Sequence, residues 1–196
     1  MKKIIVYTSI SGSYDGCRKD KIKCFSDFEK FTLPVYNSKI YKVLAHQFVD
    51  SDISIWIDGN IYLKASPSQI VEEMLGDADL GLFKHPVRNC IYKERDAAIF
   101  HRPLLKDEIY SQTERYLEKG YPVDNGLYEC GVLIRRHSSK MESFNNSWWS
   151  EICRHSSRDQ LSFPYVLSKF PSIKIKCTQG DVRTDKRFTY INRNNL

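Results

Sequence analysis

The sequence predicts an α/β fold with a mostly parallel central sheet flanked by helices. Short apolar runs rich in β-branched residues alternate along the chain with longer segments of helical periodicity, and this alternation favours parallel strands. Polar residues directly follow several predicted strands, as they do where open α/β sheets bind ligands. With 196 residues, of which 41% are hydrophobic, the chain can bury the core of one domain. We therefore predict a single domain over residues 1–196, ending in a basic tail from about residue 181.

The first predicted strand covers Lys3 to Tyr7, and a loop of small residues follows over residues 8–15. A buried first strand that leads into a Gly/Ser loop is typical of nucleotide-binding α/β domains. The loop contains neither the G-x-G-x-x-G fingerprint nor the P-loop pattern, so neither a dinucleotide enzyme nor a simple ATPase is supported. The apolar run is also too short for a secretory signal peptide.

The next region alternates between helices and strands. A helix should begin at Asn37 or Ser38, which are good N-cap residues, and end near Val49. Ser66, followed by Pro and later Gln, predicts a capped helix that ends at Gly76. The further predicted strands are Ile53–Ile57, Asp79–Lys84, Cys130–Ile134 and Ile173–Cys177.

Three more helical segments are predicted in the second half of the chain. The periodic stretch over residues 97–117 should break near Pro103. Trp148 and Trp149 lie in a second helical segment, where at least one should pack in the core. A capping-box pattern that begins at Ser157 predicts the third helix.

Cysteine spacing and hydropathy exclude several classes of protein. The six cysteines include no C-x-x-C pair, so neither a zinc site nor a small disulfide scaffold is indicated. Reduced thiols in a cytoplasmic protein are expected, and a bound metal should be a hard cation on oxygen ligands. No apolar run reaches the ~18 residues needed to span a bilayer, so we predict no transmembrane segment.

The charge of the chain favours an anionic partner. The formal net charge is +6 at pH 7, and much of the excess lies near the two ends of the sequence. A nucleotide diphosphate, an acidic glycan, a membrane surface or a nucleic acid would each suit this charge. Basic clusters of this kind are also common on solvated loops.

The candidate site with the clearest chemistry follows the strand Ile53–Ile57, at Asp58, Gly59 and Asn60. A carboxylate at the carboxyl end of a core strand lies where α/β sheets bind ligands. Asp58 and Asn60 offer two oxygen ligands for Mg²⁺ or Mn²⁺, and Gly59 permits a sharp turn between them. The same residues would also form an ordinary turn, so the motif alone does not establish a site.

Further polar groups lie at the edges of predicted elements and could converge on one cleft. They are the segment His85–Glu94, Glu129 and Asp159. Transfer of a sugar from a nucleotide diphosphate needs a cation on the leaving group, and Lys42, Arg88 or Arg158 could add positive charge. An inverting enzyme also needs a carboxylate base for the acceptor hydroxyl. The structural alternatives are a helix-stabilising role for Asp159 and a solvated position for Lys42.

Five segments, in order, resemble a glycosyltransferase-like family that includes plant mucilage and turgor-regulation proteins with bacterial and viral relatives. The segments are VYTSISGSYD at 6–15, YKVLAH at 41–46 with IWIDGNI at 55–61, KHPVRNCIYKE at 84–94, ECGVLIR at 129–135 and RDQLSF at 158–163. Five ordered matches are far more specific than any one of them. The resemblance covers most of the chain.

The resemblance implies a GT-A fold, a nucleotide-sugar donor and a divalent cation, Mn²⁺ or Mg²⁺, held by Asp58 and Asn60. A looser similarity to family-eight glycosyltransferases implies that Asp159 and Gln160 are catalytic residues facing the donor sugar. The residues implied to bind the nucleotide sugar are Thr8, Ser9, Gly12, Tyr14, Asp15, Lys42, His46, Asp58, His85, Arg88, Glu129, Cys130, Gly131 and Arg158.

The chain departs from the family pattern at Asn60, which replaces the second acid of Asp-x-Asp. Asp181 and Asp185 are candidates for a further metal ligand near the C-terminus. This departure leaves open a binding module for nucleotide sugars or nucleic acid that has lost catalysis. Taken together, these features lead us to expect a glycosyltransferase whose acceptor is a glycan or a modified DNA base.

A metal-dependent nuclease is a third and weaker alternative. It would use Asp58 with Glu72 or Glu73, which lie on a predicted capped helix. No paired-acid spacing supports a two-metal site. The sequence does not predict the sugar, the stereochemistry of transfer or the oligomeric state.

Overall fold

The structure, a computed structural model, describes residues 2–11, 20 and 22–192. Its strands are β1 (Ile4–Ser9), β2 (Lys23–Phe25), β3 (Ile53–Ile57), β4 (Ile61–Leu63), β5 (Leu80–Lys84), β6 (Tyr128–Arg136), β7 (Ile175–Thr178) and β8 (Phe188–Tyr190). Its helices are α1 (Pro34–Val43), α2 (Ala45–Phe48), α3 (Pro67–Met74), α4 (Ile91–His101), α5 (Lys106–Glu118), α6 (Ser139–Arg154) and α7 (Asp159–Leu167). A short 3-10 turn at Pro103–Leu105 separates α4 from α5, which confirms the predicted break.

The central sheet has the strand order β2-β1-β3-β6-β5-β7. β6 is antiparallel to both of its neighbours, whereas the other adjacent pairs in this sheet are parallel. β4 and β8 form a separate antiparallel pair. The predicted fold class, an α/β protein with a mostly parallel sheet flanked by helices, is confirmed.

Both faces of β3 are buried, each in a different hydrophobic core. Ile53, Ile55 and Ile57 pack in the core that includes α3 and β8. Trp56 points to the opposite core, which α1 and the helices α4 to α7 cover. Since alternate residues of a strand face opposite sides, a strand buried on both faces is apolar throughout. The polar residues that follow β3 are therefore held by a rigid element.

A β-bulge in β6 shapes the region beside the end of β3. Leu82 of β5 pairs with Leu133, but the next residue, Phe83, pairs with Glu129. The three residues between them on β6, numbers 130–132, have no counterpart on β5. Bulges commonly redirect side chains next to active sites. The sequence predicted only the shorter strand Cys130–Ile134 here.

The start of α1 differs from the prediction. The helix begins at Pro34, with Leu33 as its N-cap residue, instead of at Asn37 or Ser38. Pro is well suited to the first helical turn because it has no N–H group to leave unpaired. The buried amide of Asn37 instead bonds both the N–H and the carbonyl of Phe31, each at 2.8 Å.

Two further helix predictions were wrong in detail. The backbone of Leu44 leaves the helical region (φ −91°, ψ 42°), so α1 and α2 are separate where one helix to Val49 was predicted. The N-cap residue of α7 is Arg158, without a side-chain cap, so the capping box predicted at Ser157 is absent. The Ser66 cap of α3 is confirmed, since its hydroxyl accepts from the N–H of Gln69 at 3.2 Å.

The stretch from residue 181, predicted as a basic tail, packs against the rest of the protein up to the last described residues. β8 pairs with β4, and the carbonyl of Arg187 accepts from the N–H groups of Lys64 and Ala65 at 2.8 and 3.2 Å. Val182 and Phe188 are buried in the core beside α3. This segment therefore contributes to the walls of the cleft described next.

Candidate active site

A polar cleft of about 520 Å³ opens beside the carboxyl ends of β1 and β3. Residues from α1, the bulge of β6, the start of α7 and the C-terminal segment complete its walls. Its charged lining residues are Lys39, Lys42, Asp58, Arg102, Glu129, Arg158, Asp159 and Arg183. Five cationic groups against three carboxylates give the cleft a formal excess of positive charge, which suits an anionic ligand.

Asp58 is held at the end of β3 by two donors to one carboxylate oxygen. Trp56 Nε1 donates to Asp58 Oδ1 at 2.8 Å, and Lys42 Nζ donates to the same oxygen at 3.1 Å. Trp56 and Asp58 are two residues apart, so an extended backbone places them on one side. The N–H of Asp58 also donates to the carbonyl of Gly131 at 2.8 Å. The side chain is 39% exposed, so the carboxylate can still meet a ligand.

Asp159, the first residue of α7, is neutralised by two lysines of α1. Asp159 Oδ2 lies 2.7 Å from Lys42 Nζ and 3.0 Å from Lys39 Nζ. Burial alone would raise the pKa of Asp159, but the charges of Lys39 and Lys42 outweigh burial and hold this pKa below its ordinary value. Asp159 is therefore a buried carboxylate that stays ionised at neutral pH.

Lys42 connects the two carboxylates, Asp58 and Asp159, and its side chain is only 6% exposed. Burial would lower the pKa of Lys42, but the charges of Asp159 and Asp58 raise it above its ordinary value. For Lys39 burial dominates over the attraction of Asp159, so its pKa is lowered. The two lysines are three residues apart and thus share one face of α1.

The side chain of Gln160 is fixed by contacts on both of its polar atoms. Gln160 Nε2 donates to the carbonyl of Tyr128 at 3.3 Å, and a terminal nitrogen of Arg158 donates to Gln160 Oε1 at 3.3 Å. The N–H of Gln160 also donates to Asp159 Oδ1 at 3.1 Å. Asp159 and Gln160, predicted as a catalytic pair, thus lie side by side in the cleft wall.

The predicted residues His85 and Arg88 form a second polar group around Glu94 of α4. Arg88 Nε donates to Glu94 Oε2 at 2.6 Å, and His85 Nε2 lies 3.8 Å from the same oxygen. The backbone N–H groups of Val87 and Arg88 donate to His85 Nδ1 at 3.2 and 2.9 Å. Arg158 links this group to the cleft, because its terminal nitrogen lies 3.5 Å from Glu94 Oε1.

Glu129 is a partly buried carboxylate on the β6 side of the cleft. Burial raises the pKa of Glu129, Asp181 raises it further, and Arg183 opposes the shift. Arg183 lies 4.0 Å from Glu129 but only 2.5 Å from Asp181. Asp185 is likewise paired with Arg187, at 2.6 Å. Asp181 and Asp185, the candidates for a further metal ligand, are therefore each engaged by an arginine.

The donor set at the cleft suits a cation that arrives with a diphosphate. Asp58 supplies carboxylate oxygen, and Asn60, whose Nδ2 donates to the carbonyl of Ile191 at 3.2 Å, supplies an amide oxygen. Across residues 2–11, 20 and 22–192, no group of three His, Cys, Asp or Glu side chains could hold a metal ion. Mg²⁺ needs only one or two carboxylates when substrate phosphates and waters complete its shell.

The structure brings many, but not all, of the predicted site residues together. Those that line the cleft are Ser9, Lys42, Asp58, Asn60, Glu129, Cys130, Gly131, Arg158, Asp159 and Gln160. Burial raises the pKa of the Cys130 thiol, which argues against a nucleophilic role. The roles of these cleft-lining residues as ligand contacts stay predictions.

The other predicted residues do not line the cleft within the described part of the chain. Thr8 is fully buried in β1, and His85 and Arg88 lie outside the cleft lining, beside Glu94, which contacts the cleft residue Arg158. His46 packs instead near Asn145 of α6, with 3.3 Å between its Nδ1 and the amide nitrogen, because the helix breaks at Leu44, between Lys42 and His46. The remaining three, Gly12, Tyr14 and Asp15, lie outside the described residues.

Three residues to which the sequence gave no role contribute to this arrangement: Lys39, Trp56 and Arg183. Glu94 ends the predicted polar segment His85–Glu94, but the sequence did not indicate its contact with Arg158. The spacing of Lys39 from Lys42 was a readable signal, since residues three apart share a helix face. Likewise, Trp56 and Asp58 share a side of an extended strand. The contacts of Glu94 with Arg158 and of Arg183 with Glu129 join segments distant in sequence, and no local pattern indicates them.

The model of the TOD1/MUCI70 glycosyltransferase-like domain family matches residues 25–189. The chain belongs to this family. The resemblance proposed from the five ordered segments is therefore confirmed, and the protein carries a glycosyltransferase-like domain.

Two relatives from Arabidopsis thaliana align with much of the chain. "Probable hexosyltransferase MUCI70" is 30% identical over 144 residues, and "Alkaline ceramidase TOD1" is 28% identical over 177 residues. These alignments cover 68% and 83% of this chain but only 25% and 38% of the relatives. The chain thus spans less than half the length of either relative.

Two solved structures of glycosyltransferases are similar to this one. Mouse xyloside xylosyltransferase 1 in its apo form has a TM-score of 0.47 at 14% identity, covering 90% of this chain and 77% of that one. The galactosyltransferase LgtC, in complex with donor and acceptor sugar analogues, has a TM-score of 0.40 at 16% identity, covering 83% and 53%. Because both scores are below 0.5, the family assignment does not depend on them.

None of the helices in the described residues has the length and apolar character needed to cross a bilayer. Cys90, Cys130, Cys153 and Cys177 are present as thiols.

Proposed function

We propose that this protein transfers a sugar from a nucleotide-sugar donor to an acceptor hydroxyl, with the help of a divalent cation. One observation carries the proposal: buried Lys42 bridges Asp58 at the end of β3 and Asp159 at the start of α7, within a cleft rich in cations. Two carboxylates thus face one space, and in this proposal Asp58 helps to hold the cation while the ionised Asp159 faces the sugar. The diphosphate needs a cation held by a carboxylate, and the sugar, which develops positive charge during transfer, needs an ionised carboxylate nearby.

In this proposal the positive side chains of the cleft stabilise the leaving diphosphate. Arg158 and Arg183 line the cleft and are 27% and 52% exposed, so both can reach a ligand. Guanidinium groups bind phosphate oxygens through paired N–H donors. The net positive charge of the cleft should also attract an anionic donor before binding.

Asp159 should act through its charge and not by accepting a proton. A general base works best when its pKa lies near the working pH. The neighbouring lysines keep the pKa of Asp159 low, so it is a weak base. As an ionised group in the cleft wall, it is suited to stabilise positive charge on the sugar, while Gln160 offers an amide to the sugar hydroxyls.

Asp58 and Asn60 would hold Mn²⁺ or Mg²⁺ together with the donor diphosphate. When bound, this ion would act as a Lewis acid on the leaving group. A partial protein shell predicts that the ion binds weakly alone and more tightly with nucleotide present. Calorimetric titration of Mn²⁺ with and without UDP tests this, and equal affinity in both titrations would contradict it.

The decisive test of the function uses Asp58→Ala and a panel of nucleotide sugars: UDP-glucose, UDP-galactose, UDP-xylose and GDP-mannose. The wild-type protein should be stabilised by at least one of them in the presence of Mn²⁺. A ligand at about 100 times its dissociation constant stabilises by about 2.7 kcal/mol, which a thermal-shift assay detects readily. The same ligand should be hydrolysed or transferred, and EDTA should stop the reaction.

Asp58→Ala should lower ligand affinity at least about tenfold, because it removes the metal ligand at the end of β3. Asp77→Ala is a suitable control, since Asp77 lies on an exposed turn after α3 and outside the cleft. Full activity and full affinity in Asp58→Ala would overturn the site assignment. Binding without turnover in the wild type would support the alternative of a non-catalytic binding module.

We propose a glycan as the acceptor of the sugar. A modified DNA base is the second candidate. The net charge of +6 is the observation that favours nucleic acid. DNA affinity should then fall steeply with salt, and a flat salt response would exclude it. The names of the relatives, a probable hexosyltransferase and an alkaline ceramidase, indicate different reactions, so a ceramide hydrolysis assay belongs in the same panel.

The nuclease alternative receives no support from the structure. Glu72 and Glu73 lie on α3 and do not line the cleft that contains Asp58. Glu73 instead accepts from Gln69 at 2.8 Å and pairs with Arg187 at 3.2 Å.

The thiols are consistent with the proposed cytoplasmic location.

A further inference from the structure

A buried carboxylate, Glu94 of α4, lies behind the cleft and contacts one of the residues that line it. Only 3% of Glu94 is exposed. Its Oε2 accepts from Arg88 Nε at 2.6 Å, and its Oε1 lies 3.5 Å from a terminal nitrogen of Arg158. Glu94 itself is not among the cleft-lining residues, whereas Arg158 is. The carboxylate can therefore influence a ligand only through its partners.

The position of Arg158 depends on few other contacts. It is the N-cap residue of α7, and no side chain caps that helix. Its side chain donates to Gln160 Oε1 at 3.3 Å, and its Nε has no hydrogen-bond partner among the described residues. A flexible arginine side chain loses considerable rotamer freedom when it is held in one place. The ionic contact with Glu94, at 3.5 Å, adds to the hydrogen bond to Gln160 and to the charge of neighbouring Asp159 in holding this guanidinium.

The contacts continue from Arg158 to the residue beside Asp159. Gln160 is bound by Arg158 at one end of its amide and by the carbonyl of Tyr128 at the other. The chain of contacts Glu94–Arg158–Gln160–Tyr128 therefore joins α4, the start of α7 and β6 across the back of the cleft. If Glu94 lost its charge, Arg88 and Arg158 would lose their shared counter-ion and Arg158 would be free to turn away.

We infer that Glu94 is a positioning residue, which holds Arg158 and thereby Gln160 in the orientation that binds the nucleotide sugar. This inference rests on the function proposed above. It assigns no contact between Glu94 and substrate. Its specific content is that Glu94 acts through Arg158 and not through the general stability of the protein.

The chain offers a closely matched control in Glu151 of α6. Glu151 is 5% exposed and pairs with Arg115 at 2.7 Å and His155 at 3.4 Å, much as Glu94 pairs with Arg88 and His85, but it has no counterpart of the contact with Arg158. Neither Glu151 nor its partners line the cleft. Removing either buried charge should destabilise the protein to a similar degree, because each leaves an arginine without its counter-ion. Only one of the two should affect ligand binding.

The experiment compares Glu94→Gln, Glu151→Gln, Arg158→Ala and the double variant Glu94→Gln/Arg158→Ala. Dissociation constants for UDP-glucose, UDP-galactose, UDP-xylose and GDP-mannose are measured by calorimetry with Mn²⁺, and unfolding midpoints in urea are measured in parallel. Glu94→Gln should weaken the binding of whichever nucleotide sugar the wild type binds by about tenfold. Substitution of supporting residues has effects of this size in other sites. Glu151→Gln should change this affinity by less than about twofold, within the range of independent distant sites.

The double variant provides the specific readout. If Glu94 acts through Arg158, adding Glu94→Gln to Arg158→Ala should weaken binding no further, so the two effects are not additive. In the transfer reaction, Glu94→Gln should raise the donor KM more than it lowers kcat, which a loss of stability alone would not produce.

Additive effects, or unchanged affinity in Glu94→Gln, would overturn the inference and leave the proposed function in place. Similar losses of affinity in Glu94→Gln and Glu151→Gln would also overturn it, because they would show a general structural effect. If the wild type binds no nucleotide sugar in the panel, the proposed function fails, and the role of Glu94 fails with it.

Discussion

At the scale of single residues, Lys42 joins the two carboxylates on which the proposed chemistry depends. A lysine that is 6% exposed would be costly without partners, but here Asp58 and Asp159 both stabilise its charge. Asp58 and Asp159 also benefit, since two carboxylates facing one space would otherwise repel each other. In the proposed function, the electrostatics of the site and its local stability therefore both depend on this residue.

We predict that Lys42→Met has larger effects than Lys39→Met. Lys42→Met removes the cation shared by two carboxylates, whereas Lys39→Met leaves the pairs of Lys42 with Asp58 and Asp159 intact. Breaking a buried pair costs about 3–5 kcal/mol of unfolding free energy, and loss of an electrostatic group in a site costs about 10²–10³-fold in rate. Urea unfolding and single-turnover transfer measure the two effects.

Equal losses in the two lysine variants would contradict a bridging role for Lys42. Lys39→Met serves as the control for removing a largely buried positive charge, 15% exposed, from the same face of α1. Transfer activity retained in Lys42→Met would show that Asp159 keeps its function without this neighbour.

At the scale of secondary structure, the bulge in β6 contributes to the wall of the cleft, and α3 packs closely on β5. The bulge places residues 130–132 in the cleft without a partner on β5. Gly81 of β5 lies so close to α3 that a Cβ atom there would be 2.3 Å from the carbonyl oxygen of Met74. Backbone, not a flexible side chain, occupies that space.

Gly81→Ala should therefore destabilise the protein by about 1–3 kcal/mol, as overpacking does in rigid cores. Gly59→Ala is the matched control, because its added Cβ would meet only the side chain of Ile10, at 3.5 Å and 4.0 Å. Urea unfolding of both variants tests the difference. A Gly81→Ala protein as stable as the wild type would show that α3 can move away from β5 at little cost.

At the scale of the whole molecule, we predict that the histidines make the fold sensitive to mild acid. Burial lowers the pKa of His137 from 6.5 to about 4, and burial lowers the pKa of His46, His85 and His155 in the same direction. The unfolded chain takes up these protons near pH 6.5, but the folded protein does so only at lower pH. Stability should thus be complete above pH 6.5 and fall as the pH drops towards 4.

The contribution of His137 to this loss should be about 2 kcal/mol, after allowance for its partial exposure to solvent. Urea unfolding at pH 7 and pH 4.5 measures it in the wild type and in His137→Gln, which should lose less stability across this interval. His101→Gln, at an exposed position at the end of α4, is the control and should behave as the wild type does. Asp159, whose pKa is lowered, contributes to stability that is lost only below this interval. Equal stability at both pH values would contradict the prediction.

The sequence by itself determined the family, the fold class and those residues of the candidate site that belong to a local motif. Strand β3, with the polar turn at Asp58 and Asn60, was predicted at its observed boundaries, because burial and turn formation depend on neighbouring residues. Asp159 and Gln160 were predicted to be site residues from the family resemblance, and the structure places both in the wall of the cleft.

Only the tertiary structure decided which charges meet. The bridge from Lys42 to Asp159, the contact of Glu94 with Arg158 and the bulge in β6 each join segments far apart in sequence. Such contacts depend on how helices are placed and rotated on the sheet, which no local period encodes. The break after α1 shows the same limit, since it separates Lys42 from His46 although their spacing suggested one shared face.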